Sequence, residues 1–128
     1  MEIEIFTLCD HAQDFNGKLV IVGTFDSISS AKYPFAHAAC SLAGRLRFSE
    51  KETGVHEFKI RLIDEEGVEL YPPIEGSIDV SRSVANYSTV NFAINLGNLE
   101  FKKPGRYAIE LYIDNEWQKG LPINVLKQ

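Results

Sequence analysis

The feature that most constrains this chain is a period-two alternation of apolar and polar side chains that recurs along its length. In residues 56–63, Phe58, Ile60 and Leu62 alternate with charged side chains, and a similar alternation returns in residues 106–114. Successive side chains of a β-strand point to opposite faces, so each such segment predicts a strand with one buried face. Helical periodicity is hard to find anywhere, and the pattern therefore predicts an all-β protein.

Composition and length agree with a single β domain. Val, Ile, Phe, Tyr, Trp and Thr make up 38 of the 128 positions, an enrichment typical of strands. No repeat or linker divides the chain, and its length suits one domain over residues 1–128. Turn residues separate the strands, which predicts a β-sandwich or barrel of about seven or eight antiparallel strands. The predicted strands cover residues 3–9, 18–25, 39–48, 56–63, 74–80, 88–101, 106–114 and a last segment through Val125.

Local signals predict how some of these strands are placed. In the strand predicted over residues 18–25, the four residues Leu19 to Val22 are apolar on both faces, which is typical of a central strand covered on each side. Residues 39–48 and 56–63 are joined by a short polar link, so we expect them to form a hairpin that sets Arg47 opposite Glu57.

Breaks in the alternation carry further expectations. Residues 27–39 are predicted to be mostly loop, with one short helical turn. The Pro72-Pro73 step places the strand over residues 74–80 at an edge, because proline cannot donate to the ladder. The phase slip at Gly97-Asn98 predicts a β-bulge.

The sequence around Tyr107 favours a sandwich over a barrel. Pro104-Gly105 followed by Tyr107 resembles the corner of Greek-key sandwiches, where the tyrosine hydroxyl bonds to the backbone a few residues upstream. The alternative is that Tyr107 is an ordinary core residue after a Pro-Gly turn.

Several short motifs, taken in order, resemble a known family. The motifs are Leu8-Cys9-Asp10, Gly17-Lys18-Leu19, Val22-Gly23-Thr24-Phe25-Asp26, Pro34-Phe35-Ala36-His37, Phe101, Pro104-Gly105, Tyr107 and Ile113-Asp114. With these motifs the chain is similar to small, uncharacterised bacterial proteins that form a domain of unknown function, and the resemblance covers nearly its whole length. The resemblance implies an immunoglobulin-like β-sandwich and no assigned activity.

Charge and hydropathy limit the classes of partner that the chain is expected to bind. The net charge of −5 does not suit the phosphate contacts of a nucleic-acid binder. No apolar stretch reaches the roughly 18–20 residues of a membrane span. Glu2 and Glu4 stand where a secretory signal would carry positive charge. We therefore expect a cytoplasmic protein without nucleic-acid or membrane partners and without a cofactor.

Two sets of residues have the right types for metal ligands. Cys9, His11, His37 and Cys40 are acceptable zinc ligands. However, counting antiparallel strands sets the two cysteines at opposite ends of the sandwich, roughly 20 Å apart, which favours two buried thiols instead.

The second candidate is a calcium site at one end of the sandwich. Asp26, Asp64, Glu65 and Glu66 offer the oxygen ligands that Ca²⁺ prefers. The alternatives are that residues 64–67 form an ordinary polar turn and that Asp26 bonds within its own loop.

The sequence contains none of the familiar catalytic motifs. Signatures for serine nucleophiles, zinc proteases and phosphate loops are absent, and neither His37 nor His56 has a recognisable nucleophile partner. We expect no catalytic residue and a non-enzymatic protein.

Four aromatic residues in or beside loops are candidate partner contacts. These are Tyr33, Phe35, Tyr71 and Trp117. They could anchor a partner or cap the ends of the core. The sequence thus favours a protein-interaction or structural module, with self-association open. The alternative is a module that binds carbohydrate or Ca²⁺ through loops.

Overall fold

The computed structural model describes residues 1–128 and is built almost entirely of β-strands. About 73% of the residues lie in nine strands, and one short 3₁₀ turn, η1 (Glu50–Glu52), is the only helical element. None of its helical segments has the length and apolar character needed to cross a membrane. The strands are β1 (Glu2–Phe15), β2 (Lys18–Thr24), β3 (Ser27–Ser30), β4 (Phe35–Ser49), β5 (Gly54–Ile63), β6 (Ile74–Val80), β7 (Tyr87–Phe101), β8 (Gly105–Ile113) and β9 (Glu116–Lys127).

The strands form two sheets, and the all-β class is confirmed. The four-stranded sheet has the order β2-β1-β4-β7, and the five-stranded sheet has the order β3-β9-β8-β5-β6. One of the two sheets curls into a half-barrel. The pairs β1–β2, β1–β4, β5–β8 and β8–β9 are antiparallel. The short strand β3 runs parallel to β9, so the expectation of antiparallel strands throughout was wrong for this pair.

The chain is organised as two compact units. The first comprises Met1–Phe25, Ala39–His56 and Ile78–Gly97, and the second comprises Asp26–Ala38, Glu57–Ser77 and Asn98–Gln128. Strands β4, β5, β6 and β7 each contribute residues to both units.

Alternation sets the faces of the strands in each unit. In the first unit Leu42, Leu46 and Phe48 are fully buried on one face of β4, while Arg45 and Arg47 on the other face bond Glu4. In the second unit the core consists chiefly of alternate aliphatic residues from three strands. They are Ile60, Leu62, Ile109, Leu111, Ile113, Ile123 and Val125.

Two predicted placements are corrected. Residues 18–25 were expected to form a central strand, but β2 lies at the edge of its sheet. Residues 39–48 and 56–63 were expected to pair, but β4 and β5 belong to different sheets. Arg47 therefore does not pair with Glu57 across a hairpin, and it bonds Glu4 and lies 3.8 Å from a carboxylate oxygen of Glu2.

The segment between β2 and β4 explains part of this difference. It was predicted to be loop with a helical turn, but it contains β3, whose Ile28 is buried. The chain leaves the four-stranded sheet after β2, enters the five-stranded sheet as β3 and returns as β4. The additional strand β3 reverses the direction of the chain once more, and the alternation of side chains does not reveal this reversal.

Other local predictions are confirmed. The edge strand has the predicted bounds, Ile74–Val80. The phase slip at Gly97-Asn98 is present, because the buried positions of β7 become odd from Leu99 onward, and Asn98 there has a φ of 53°. The hydroxyl of the buried Tyr107 donates to the Lys103 carbonyl at 2.7 Å, as the corner motif predicts.

Candidate functional site

The β1–β2 hairpin presents an unusual exposed face. The register pairs His11 with Val22, Gln13 with Val20 and Phe15 with Lys18, so these six side chains share one face, here called the hairpin face. Its three apolar members are open to solvent, with exposed fractions of 59% for Phe15, 44% for Val20 and 53% for Val22.

The opposite side of the hairpin is packed. Leu19 and Ile21 lie against a small cluster formed by Cys9, Ala12 and Ala43. Alternation in β2 thus gives one half-buried apolar row and one exposed apolar row. The buried row fixes the strand, and the exposed row is left available for contact.

The tip of the hairpin is a tight turn with defined bonds. Asn16 and Gly17 both have positive φ, 54° and 81°. One of the two favoured two-residue hairpin turns requires positive φ at both of its central residues. The Gly17 amide donates to the Asp14 carboxylate at 2.9 Å. The Asn91 side-chain amide on β7 donates to the Gly17 carbonyl at 3.1 Å, which anchors the tip to the far strand of the same sheet.

A charged network lies beside this anchor. Arg45 donates to Glu4 at 2.7 Å through Nε and to Asn91 at 3.0 Å through Nη1. Hydrogen bonds from Arg47 and Arg45 hold the pKa of Glu4 below its ordinary value. The Arg47 guanidinium also lies over the Tyr87 ring, 5.3 Å from its centroid.

The five-stranded sheet carries an aromatic and charged surface on one face. The register aligns Lys59, Tyr112 and Trp117 in one row across β5, β8 and β9. A second row aligns Arg61, Glu110 and Gly120. We call these six residues the platform.

Hydrogen bonds position the exposed tryptophan of the platform. Trp117 is 56% exposed, and its indole Nε1 donates to Glu110 Oε2 at 3.1 Å. Glu110 Oε1 accepts from Arg61 and from the Tyr112 hydroxyl, both at 3.1 Å. A carboxylate held by three donors thus fixes the ring that solvent reaches.

A shallow cleft adjoins the platform at Lys59. Its volume is about 310 Å³. The Lys59 ammonium, one of its walls, lies over the Tyr112 ring, 4.8 Å from the centroid. The cleft is otherwise lined by Glu57, Phe58, Glu75, Gly76, Ser77 and Asn115.

The four aromatic residues named from the sequence occupy different environments. Tyr33, Phe35 and Tyr71 are half-buried, and two of them bond the backbone, Tyr33 to the Leu126 carbonyl and Tyr71 to the Glu100 carbonyl. Tyr33 and Phe35 also pack edge to face. Trp117 is the member of the set whose side chain is mainly exposed.

The candidate calcium ligands are engaged in local bonds. Asp64 Oδ1 accepts from the amides of Glu66 and Val68 at 2.9 and 3.0 Å, and Glu65 accepts from the Arg106 amide at 2.8 Å. Residues Asp64 to Glu66 line a second cleft of about 180 Å³, whose lining does not include Asp26. Asp26 accepts from the Ser27 hydroxyl at 3.2 Å.

The expected separation of the two cysteines was wrong. Cys9 on β1 pairs with Ser41 on β4. Cys40 is the residue before Ser41, so the two cysteines lie close together on neighbouring strands and not at opposite ends. Strand β3 supplies the extra reversal that brings the start of β4 beside the end of β1. Both thiols are buried and free, and burial raises the pKa of Cys40 to about 11.

His56 packs within the first unit, and the fold lacks a cluster of metal-ligating side chains. The His56 Nε2 lies 2.6 Å from the Glu52 carbonyl, and its ring stacks on Phe48, so both contacts are structural. The fold assembles no group of three or more His, Cys, Asp or Glu side chains that could hold a metal ion.

Comparison with known proteins places the chain in a family. The model of a family of unknown function, DUF6941, matches residues 4–126. The chain belongs to this family. The resemblance to a domain of unknown function is thereby confirmed. None of the curated proteins compared with it matches this DUF6941 member.

Sequence reasoning missed the main exposed features of this DUF6941 protein. The apolar run of β2 was interpreted as doubly covered, which hid Val20 and Val22. Phe15 followed the predicted end of the first strand and received no role. The lone Trp117 was found from its place beside a turn, but the Glu110 bond that orients it depends on strand pairing.

Proposed function

We propose that this chain is a non-enzymatic protein-interaction module of the bacterial cytoplasm and that it binds its partner through the hairpin face. The observation that carries the proposal is a concentration of exposed apolar side chains. Of nine large hydrophobic residues exposed to solvent, Phe15, Val20 and Val22 lie on one face of two paired strands. Clustered exposed apolar surface is typical of a contact site.

The geometry of the hairpin suits a preorganised contact. Leu19 and Ile21 hold β2 from below, and the Asn91 bond holds the tip, so little ordering is needed when a partner arrives. Strand β2 is also a sheet edge, to which a partner strand could add main-chain hydrogen bonds.

Two further parts of the proposal have separate support. The Tyr107 corner supports an immunoglobulin-like β-sandwich. Free, buried thiols at Cys9 and Cys40 support a reducing compartment. No motif or constellation supports a reaction.

Quantitative affinity capture tests the role of the hairpin face. A Val20→Ser/Val22→Ser variant should lose a partner that the unchanged chain enriches from a lysate of its own organism. The matched control is Val55→Ser/Val84→Ser, which removes two exposed valines of the same unit and should retain that partner. Sizing of the purified chain shows whether the partner is a second copy.

Retention of the same partner by the Val20→Ser/Val22→Ser variant would contradict the proposed surface. Loss in both double variants would assign the effect to general destabilisation, which urea titration of each variant would reveal.

A further inference from the structure

We propose that the platform and its adjoining cleft form a binding site for a saccharide that carries no acidic groups. This inference is independent of the hairpin face, because it concerns other residues and another class of ligand. It rests on the exposed Trp117 ring, on the polar groups of the cleft and on the position of Lys59 between them.

The tryptophan has the exposure and the order that stacking requires. Trp117 is 56% exposed, but its ring cannot turn freely, because Nε1 is bonded to Glu110. The ring also lies close to Gly120, where a Cβ would be 3.8 Å from the indole Cζ2, an ordinary van der Waals distance. A flat apolar ring held at the surface can stack against the C–H face of a sugar ring at small entropic cost.

The cleft supplies the hydrogen-bonding groups that a sugar needs. The Glu57 and Glu75 carboxylates accept hydrogen bonds, the Lys59 ammonium donates them, and Ser77 and Asn115 can do both. Sugar hydroxyls are donors and acceptors in similar numbers, so this mixed set matches them. A ligand that needs a deep apolar pocket is excluded, because the cleft is shallow and polar.

Lys59 connects the two parts. It lines the cleft and lies over Tyr112, whose cross-strand neighbour is Trp117. Neighbouring strands of a sheet are about 4.8 Å apart, so the row from Lys59 to Trp117 spans about 10 Å. That span accommodates about two sugar units and predicts a preference for oligosaccharides over monosaccharides.

The charges of the site set the class of sugar. Platform and cleft together hold three carboxylates, Glu57, Glu75 and Glu110, and a fourth, Glu69, lies outside them but is bonded to Arg61. The two cations of the site are Lys59 and Arg61. Two of these carboxylates, Glu69 and Glu110, already neutralise Arg61. An acidic sugar would meet the remaining negative charge of Glu57 and Glu75, so uronic and sialic acids are disfavoured.

Tryptophan fluorescence of the full chain provides a direct test, because Trp117 is its sole tryptophan. The probes are cellohexaose, maltohexaose, xylohexaose and N-acetylchitohexaose, with oligogalacturonate as the acidic comparator. At least one non-acidic oligosaccharide should give a saturable change in emission and shield the indole from acrylamide quenching. The monosaccharide of that oligomer should bind more weakly.

Calorimetry with variants then tests the assigned roles. Trp117→Ala should weaken binding of that oligosaccharide by about tenfold or more, and Trp117→Phe should restore part of the affinity. Glu110→Gln tests the positioning role, and it should reduce affinity while making the indole more accessible to acrylamide. Val68→Ser, an exposed valine of the same unit, is the matched control and should bind like the unchanged chain.

Three results would overturn the proposal. They are the absence of a saturable response to every non-acidic oligosaccharide up to its solubility limit, a response to oligogalacturonate alone, and an affinity that is equal in the Trp117→Ala variant. Loss of a captured protein partner in Trp117→Ala, without any saccharide response, would reassign the platform as a protein surface.

Discussion

Glu4 lies between two arginines, and its carboxylate ties β1 to β4. Hydrogen bonds from Arg47 and Arg45 lower its pKa in the folded chain below the ordinary value of 4.5. A carboxyl group with a lowered pKa stabilises the fold at a pH above its unfolded pKa. That contribution is lost as the pH falls through the folded pKa.

A Glu4→Gln variant should therefore be less stable than the unchanged chain at pH 7, and the difference should shrink as the pH falls below about 4.5. Urea titrations at several pH values measure it. Glu116→Gln, which removes the same charge from an exposed site on β9, is the matched control. An equal and equally pH-dependent loss in that control would assign the effect to net charge alone.

Single residues differ in how far the sequence could predict them. The Tyr107 bond to Lys103 was predictable, because both partners belong to one short motif. The bond between Trp117 and Glu110 depends on the register of β8 against β9. Side chains on neighbouring strands can be distant in sequence, so no local pattern predicts their contact.

At the scale of elements, Gly44 on β4 allows close packing by β7. A Cβ at Gly44 would overlap the ring of Phe92, which itself packs edge to face on Phe6, with 6.3 Å between ring centroids. The absence of a side chain at Gly44 is therefore a packing requirement and not a source of flexibility.

Replacing Gly44 by Ala should destabilise the fold by about 1–3 kcal/mol, because overpacking forces the ring or the strand to shift. Gly97→Ala is the matched control, since nothing lies within 4 Å of its Cβ position, and it should change stability by less than about 1 kcal/mol. Urea denaturation followed by circular dichroism measures both. Partial rescue of Gly44→Ala by Phe92→Leu would confirm the cause, whereas equal losses at the two glycines would contradict it.

The elements themselves were more predictable than their neighbours. Alternation gave the faces of β4, β5 and β8 correctly, because burial of one face imposes period two on the side chains. It could not reveal that β4 and β5 separate into different sheets, because alternation contains no information about which strand lies alongside. The same limit applies to β2, where an apolar run fits a central strand and an exposed edge strand equally well.

For the whole molecule, the path of the chain links the two compact units. Strands β4, β5, β6 and β7 each pass from one unit to the other without interruption. Unfolding either unit would therefore remove part of four strands that the other unit uses. This continuity predicts one cooperative transition, as in most small domains.

Two intrinsic probes report on the units separately. Trp117 belongs to the second unit, while Cys9 and Cys40 belong to the first. The thiols are buried, and a pKa of about 11 keeps Cys40 protonated and unreactive at neutral pH. Thiol labelling therefore requires the first unit to open.

Fluorescence of Trp117 and pulsed thiol labelling, measured in the same urea series at neutral pH, should give the same midpoint and the same slope. Trp117→Phe, followed by labelling alone, controls for any influence of the indole on stability. Labelling that precedes the fluorescence change would mean that the first unit opens while the second stays folded. The hairpin face and the platform would then belong to structures of different stability, and binding at one could not be assumed to stabilise the other.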